Sequence, residues 1–228
     1  MKLLLFDIDG TLLHANGSGR VAIERALADA FDCPVTTESV SFSGRTDPGI
    51  MRDILEVNGI APSMANIGRA LRAYESVVLE MGNPDDVTLI PGVPPLLDRL
   101  AGRSDVTLGL LTGNLRTTAF WKLEAVGLDA HFAFGAFGSD SGERHKLPPV
   151  AVRRAQRHTG HTFVGRDVVI IGDTEHDIRC GRGIGAFSVA VCTGSFTRPD
   201  LQPHNPHALF DTLEDGDTFI EQVLAPMS

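Results

Sequence analysis

Two carboxylates two positions apart close an apolar run near the start of the chain. The stretch LLLFDIDGTLL, residues 3 to 13, carries them as Asp7 and Asp9. On a continuing strand they would face opposite ways. A turn starting at Ile8 brings them together, and Gly10 lets the backbone fold close to a ligand. Metal ligation, a paired acid and nucleophile, and a plain turn are all compatible with this pair taken alone. A second stretch, LLTGN, offers the Thr112 hydroxyl and the Gly113 and Asn114 backbone donors near a helix start, where a phosphoryl oxygen can be held. A helix capped by Thr112 accounts for the same residues. A third stretch, IIGDTEHD, places Asp173 directly after an apolar run and Asp177 one helical turn later, on one face if the helix has begun. Two nearby acids resist joint ionisation unless a cation or donors stabilise them. Magnesium, a hard ion that prefers oxygen ligands, meets that need. The competing reading makes Asp173 a helix cap and leaves Asp177 in the first turn, favoured there by the dipole.

The elements that must position these residues are legible as short apolar runs: Leu3–Phe6, Val106–Leu111, Val168–Ile171 and Ser188–Val191. Each is followed by a turn and then a helical pattern. That alternation favours right-handed crossovers and a largely parallel sheet, an α/β fold. Helices are expected near Leu115–Val126, stopped by Gly127, and near Glu175–Gly181. In such sheets ligands gather at the carboxyl ends of the strands, where all three stretches lie.

Between the first strand and VTLGLLTGN the chain is too long for a simple crossover and reads as helices without strands. Ser18 is placed to cap a helix through Phe31. TDPGIMRDILEVNG starts with cap residues and Pro48 near its first turn and ends at Gly59. Ser63 to Gly82 forms a third helix, with Met64, Ile67, Leu71, Tyr74 and Val78 as its apolar face. This all-helical insert spans roughly Ala15 to Val87, and Gly- and Pro-containing segments on either side could act as hinges.

The 228 residues are 43% hydrophobic, enough for a sizeable core. The formal charge of −9 argues against a nucleic-acid partner, since phosphate neutralisation needs a basic surface. It is compatible with a small phosphorylated substrate, because a divalent cation offsets local carboxylates. No apolar run approaches the roughly 20 residues that span a bilayer, so no membrane role is expected. MKLLLF is read as a first strand rather than a leader, since Asp7 and Asp9 interrupt it almost at once. Cys33, Cys180 and Cys192 are odd in number and widely spaced, which suits a reducing cytoplasm.

Together, DIDGT, LLTGN and GDTEHD, each closing a buried strand in this order, resemble the haloacid dehalogenase-like hydrolases, and the likeness covers the whole chain. The resemblance implies a Rossmann-like core, residues 1–14 and 88–228, with residues 15–87 as a helical C1 cap. It implies that Asp7 is the nucleophile, forming an aspartyl-phosphate, and that Asp9 protonates the leaving oxygen and later activates water. It implies magnesium held by Asp7, the backbone carbonyl of Asp9, Asp173 and Asp177, with Thr112 and Asn114 on the phosphoryl group and Gly113 beside them. An Asp at the second position of the first motif marks the phosphatase branch. An ionised Asp7 against the metal and a protonated Asp9 away from it would then divide the roles.

The family also needs a basic residue before a Pro-containing helix start. SGERHKLPPVAVRRA supplies Lys146, whose register fits better, and Arg144 two residues earlier, although Leu147 stands where a Pro is usual. FSGRTDPGI resembles the cap segment of phosphoglycolate phosphatase-like members, in which Arg45 would bind a substrate carboxylate bidentately. A solvated arginine near a helix cap is the bland account of Arg45. Arg20, His14 and His176 are weaker candidates, and Trp121 reads as helix packing.

The expected activity is therefore magnesium-dependent hydrolysis of a small phosphate monoester, phosphoglycolate or a related metabolite. A phosphomutase of the beta-phosphoglucomutase type shares the core residues, and a silent phosphometabolite-binding protein shares the fold. A phosphonate-cleaving relative would need a cap lysine, and residues 15–87 contain none. Oligomeric state is not legible.

Overall fold

The computed structural model of the chain describes residues 1–15 and 19–224. In chain order the elements are β1 (Lys2–Phe6), β2 (Leu13–Ala15), α1 (Gly19–Phe31), α2 (Asp47–Val57), α3 (Met64–Met81), β3 (Val87–Leu89), α4 (Val93–Ala101), β4 (Val106–Leu111), α5 (Arg116–Ala125) and β5 (Gly135–Ala136). They continue with α6 (Leu147–Thr159), β6 (Val168–Gly172), α7 (Glu175–Cys180), β7 (Phe187–Val191), α8 (Arg198–Leu201), β8 (Ala208–Phe210) and α9 (Gly216–Leu224).

Six strands pair in the order β5-β4-β1-β6-β7-β8, every pairing parallel. The chain steps outward from β1 through β4 to β5 and then returns to the other side of β1. The strand order thus reverses around β1, and the carboxyl ends of β4, β1 and β6 lie side by side: Phe6 is in register with both Leu110 and Ile171. A parallel sheet covered on both faces needs strands apolar at every position, which is why Leu3 to Phe6 show no polar alternation. Leu4 and Phe6 pack into one apolar cluster with Leu97, Leu123 and Phe219. Leu3 and Leu5 pack into the other with Leu147, Ala151 and Ala155 of α6. All four side chains are fully buried, each worth about 1.5–3 kcal/mol of transfer free energy.

Between β2 and β3, α1 to α3 pack around their own apolar cluster of Leu27, Met51, Ile54, Ala70 and Tyr74, closed from below by Leu115. Local signals account for two of these helices. Thr46 caps α2, its hydroxyl accepting from Gly49 N–H at 3.2 Å, with Pro48 in the first turn. Ser63 caps α3 in the same way through Asn66 N–H at 3.2 Å. The cap expected at Ser18 lies outside the described residues.

Four expectations need correction. The insert is not bounded without strands: β2 and β3 pair antiparallel across its base, Leu13 opposite Leu89 and Ala15 opposite Val87. Three residues pairing with three others more than seventy positions away leave no local periodicity to detect. Second, β7 begins one residue earlier than expected, at Phe187. Third, the edge strands β5 and β8, of two and three residues, escaped notice for want of length. Finally, Met64 is 85% exposed and so not part of the buried face of α3, which consists of Ile67, Ala70 and Tyr74. Among the described residues no helix is long and apolar enough to cross a membrane.

Candidate active site

Asp7 still belongs to the sheet, its N–H donating to Ile171 O at 2.9 Å. The turn then opens on Ile8, whose carbonyl accepts from Thr11, Leu12 and Leu13 N–H. Gly10 takes the left-handed conformation at φ +79°, where a Cβ would stand 2.4 Å from Asp173 Oδ2. The Thr193 hydroxyl holds this turn through Gly10 O at 2.7 Å, and Thr11 donates to Asp173 Oδ1 at 3.3 Å. Asp173 is not the cap of α7. Thr174 takes that position in a reciprocal box with Asp177, whose Oδ2 accepts from Thr174 N–H at 3.1 Å and Oγ1 at 2.6 Å. Asp173 is thereby left aimed at the site. Ligand oxygens of Asp7, Asp173 and Asp177, all buried, lie within 4.8 Å of one another.

Of the two basic candidates, Arg144 enters this cluster and Lys146 does not. The Arg144 Nη2 stands 3.2 Å from Asp7 Oδ1 and in direct contact with Asp177 Oδ1, and Nη1 donates to Gly44 O at 3.3 Å. Its Nε is buried without a partner. Lys146 is exposed and paired with Glu143. The short turn before α6 thus places the Arg144 side chain at the acids and the Lys146 side chain, which the sequence favoured, at the surface.

Burial, then the neighbouring acids, push Asp173 up to about 8. Burial also pushes Asp7 up to about 7, with Asp177 and Asp9 adding to it and Arg144 opposing. One guanidinium does not balance three buried carboxylates. All-oxygen donors, close convergence and this charge deficit fit a hard divalent cation. The cluster does not include the Asp9 carboxylate.

Asp9 turns instead to a residue that sequence reasoning missed. Lys122 Nζ lies 2.7 and 2.9 Å from the two Asp9 oxygens and 2.7 Å from Asn114 Oδ1. Asn114 Nδ2 donates to Asp9 Oδ2 at 2.7 Å and to Thr112 Oγ1 at 2.8 Å. Burial works to raise the Asp9 carboxyl, but the ammonium and the donors of Lys122 and Asn114 outweigh it and hold Asp9 below the usual carboxylate range. The signal was available: Lys122 stands among Thr118, Ala119 and Leu123 on the buried face of α5, where an unpaired lysine would be costly. Without a cation, burial thus lifts Asp7 while Lys122 and Asn114 hold Asp9 down.

The LLTGN loop is shaped by the helical segment above it. Thr112 does not cap α5, since its hydroxyl accepts from Asn114. Leu115 N–H, at the start of α5, donates to Asp47 Oδ2 at 2.7 Å, and Asp47 N–H donates to Gly113 O at 2.8 Å. A Cβ on Gly113 would stand 1.9 Å from Arg45 O, so glycine is required for the two loops to touch. Burial raises Asp47 to about 6 against the pull of Lys122. Arg45 is ion-paired to Asp53 at 2.7 Å. Arg20 donates to Thr37 O and Val40 O and stacks on Phe42. His176 packs under Gly44, where a Cβ would meet its ring. A cavity of about 630 Å³ opens between the helical segment and the strand ends, reached by Asp7, Asp9, Thr112, Asn114, Arg45 and Arg144. His14, Arg20 and Trp121 also line it.

Residues 4–191 match the family model of haloacid dehalogenase-like hydrolases. The chain is 26% identical to a phosphoglycolate phosphatase of Cereibacter sphaeroides, over 99% of this chain and 100% of that protein. It is 25% identical to the pyrophosphatase PpaX of Oceanobacillus iheyensis, over 96% and 99%. Among solved structures, a hydrolase from Pseudomonas syringae superposes with a TM-score of 0.72 at 18% identity, covering 98% of this chain and 99% of that one.

Proposed function

From the premise that the chain belongs to the haloacid dehalogenase-like hydrolase family, we propose that it is a magnesium-dependent phosphatase acting on a small phosphate monoester, with Asp7 as nucleophile. One observation carries the reading. Three buried carboxylates converge at the ends of β1 and β6, beside a separate acid, Asp9, that a lysine and an amide hold apart from them. Phosphoryl transfer asks for this division between charge neutralisation and proton transfer. The relatives named as phosphatases support the reaction class.

Asp7, Asp173 and Asp177 would hold the cation, with the main-chain carbonyl of Asp9. When bound, the cation offsets the charge of both carboxylate and ester and favours the ionised form of Asp7. Thr112 and Asn114 orient the phosphoryl group, and Arg144 balances the acids from the side. An Asp7 oxygen attacks phosphorus while the ester oxygen leaves with a proton from Asp9, giving an aspartyl-phosphate. Asp9 then takes a proton from water, the hydroxyl oxygen attacks phosphorus, and the Asp7 carboxylate is restored as phosphate departs. The anionic phosphoryl group beside Asp9 favours its protonated form, which sets the order that donation needs. Residues 15–87 would serve as the cap, excluding bulk water during transfer.

The test is phosphate release from a panel of monoesters, with magnesium or with chelator, for the wild type and Asp7→Asn. Turnover that needs magnesium and disappears in the variant is the expected result. Turnover that survives chelation, or survives in Asp7→Asn, contradicts the assignment.

A further inference from the structure

We propose that the cavity selects a phosphate monoester whose alcohol part is uncharged and offers an apolar face of ring size, over a short ester bearing a second carboxylate. The inference rests on the phosphatase reading above and concerns the part of the substrate that does not react.

The cavity lining has two unlike parts. The strand ends bring polar groups, the acids with Thr112 and Asn114. The helical segment and α5 bring an apolar wall of Ile23, Phe42, Val77, Val78 and Trp121, beside the polar Arg20 and Asp86. Pockets of about 300–1,000 Å³ accommodate drug-sized ligands, and this one, at about 630 Å³, lies well inside that range. A two-carbon ester anchored by its phosphoryl group would leave most of the space, and all of the apolar wall, to water. Burying a ring against that wall releases this water instead. Val77 lines the cavity without belonging to the apolar cluster of α1 to α3, so packing within those helices does not account for an apolar residue there.

Charge points the same way. Among the described residues, the four Arg and Lys side chains lining the cavity already have partners. Arg144 pairs with Asp7 and Asp177 through Nη2, its Nε alone staying unpartnered, Lys122 with Asp9, and Arg45 with Asp53. Both terminal nitrogens of Arg20 donate to backbone carbonyls. The acids Asp47 and Asp86 line the same space. A substrate carboxylate would lose water there and meet cations whose charge or donors are already engaged, which is unfavourable. The carboxylate clamp expected of Arg45 is for this reason not part of the proposal.

The test compares two non-hydrolysable ligands that differ by one charge: benzylphosphonate and 4-carboxybenzylphosphonate, titrated calorimetrically into the magnesium-loaded full chain. We expect the neutral ligand to bind about tenfold more tightly or better. Val77→Lys, which puts a cation on the apolar wall, should close or invert that ratio. Alongside, kcat/KM is measured for benzyl phosphate, 4-carboxybenzyl phosphate and phosphoglycolate. Equal or tighter binding of the carboxylated phosphonate overturns the proposal, as does a higher kcat/KM for phosphoglycolate than for benzyl phosphate. Failure of both phosphonates to bind at millimolar concentration overturns it too. Absence of turnover on every ester would instead contradict the phosphatase reading, while the phosphonate pair still decides this one.

Discussion

Lys122 touches both oxygens of Asp9 and the side-chain oxygen of Asn114, so one ammonium sets the place of the acid proposed for proton transfer and of the amide proposed to bind the phosphoryl group. Lys122→Met keeps the length of the stem and removes the charge. We expect kcat to fall about 100-fold, the usual consequence of a reacting group displaced by an ångström. The sign of the pH effect follows from the same contact. Lys122 holds the Asp9 pKa down, so its loss raises that pKa and moves the corresponding limb of the kcat/KM profile to higher pH. An unmoved profile would mean that Asp9 is not the titrating group. The two basic candidates separate as cleanly. Removing Arg144 leaves Asp7 and Asp177 buried without their cation, a loss of about 3–5 kcal/mol. Lys146→Ala removes one exposed pair, worth under about 1 kcal/mol. Denaturant midpoints of the two variants measure the difference.

At the scale of elements, Asp47 joins α2 to the start of α5. Asp47→Ala strands the Leu115 N–H in a buried position, and we expect a loss of about 1–3 kcal/mol. Asp47→Asn keeps an acceptor and removes the titration. The folded-state pKa of Asp47 is raised from 3.8 to about 6. Its ionisable form therefore contributes most below pH 4, and that contribution is lost as pH rises through 6. The stability of Asp47→Asn relative to the wild type should rise over this interval, by up to about 3 kcal/mol, in denaturant titrations at pH 4 and pH 8. A flat difference would mean that Asp47 titrates normally. The helices on either side of this contact announce themselves through Thr46, Pro48 and Ser63, but the contact itself does not. Nothing local to Asp47 or Leu115, 68 positions apart, says that they meet.

For the molecule as a whole, a cation held by the acid cluster would tie stability to pH. Asp7 and Asp173 are raised from 3.8 to about 7 and about 8. The stability they contribute is complete below about pH 4 and lost as pH rises through those values. A cation held there would bind their ionised forms and displace their protons. Magnesium should therefore raise the Tm more at pH 8.5 than at pH 5.5, by the equivalent of about 2.7 kcal/mol when present at 100 times its Kd. Thermal scans with magnesium or chelator at the two pH values check this, and an equal shift at both would place the cation elsewhere.

What the sequence by itself determined was whatever is written in neighbouring residues: continuous apolar runs for strands buried on both faces, caps for α2 and α3, and the three short stretches that carry Asp7, Thr112 and Asp173. Those stretches sufficed for the family, and they carry the carboxylates that the fold brings together. Only the tertiary structure decided which base enters the site, because Arg144 and Lys146 differ by the outcome of a single turn before α6. It decided likewise that Lys122, a lone lysine in a helix, is the partner of Asp9, 113 residues away. It also set the opposite pKa shifts of Asp7 and Asp9, since a pKa depends on burial and on charges brought close by folding, and neither is a property of a residue's neighbours in the chain.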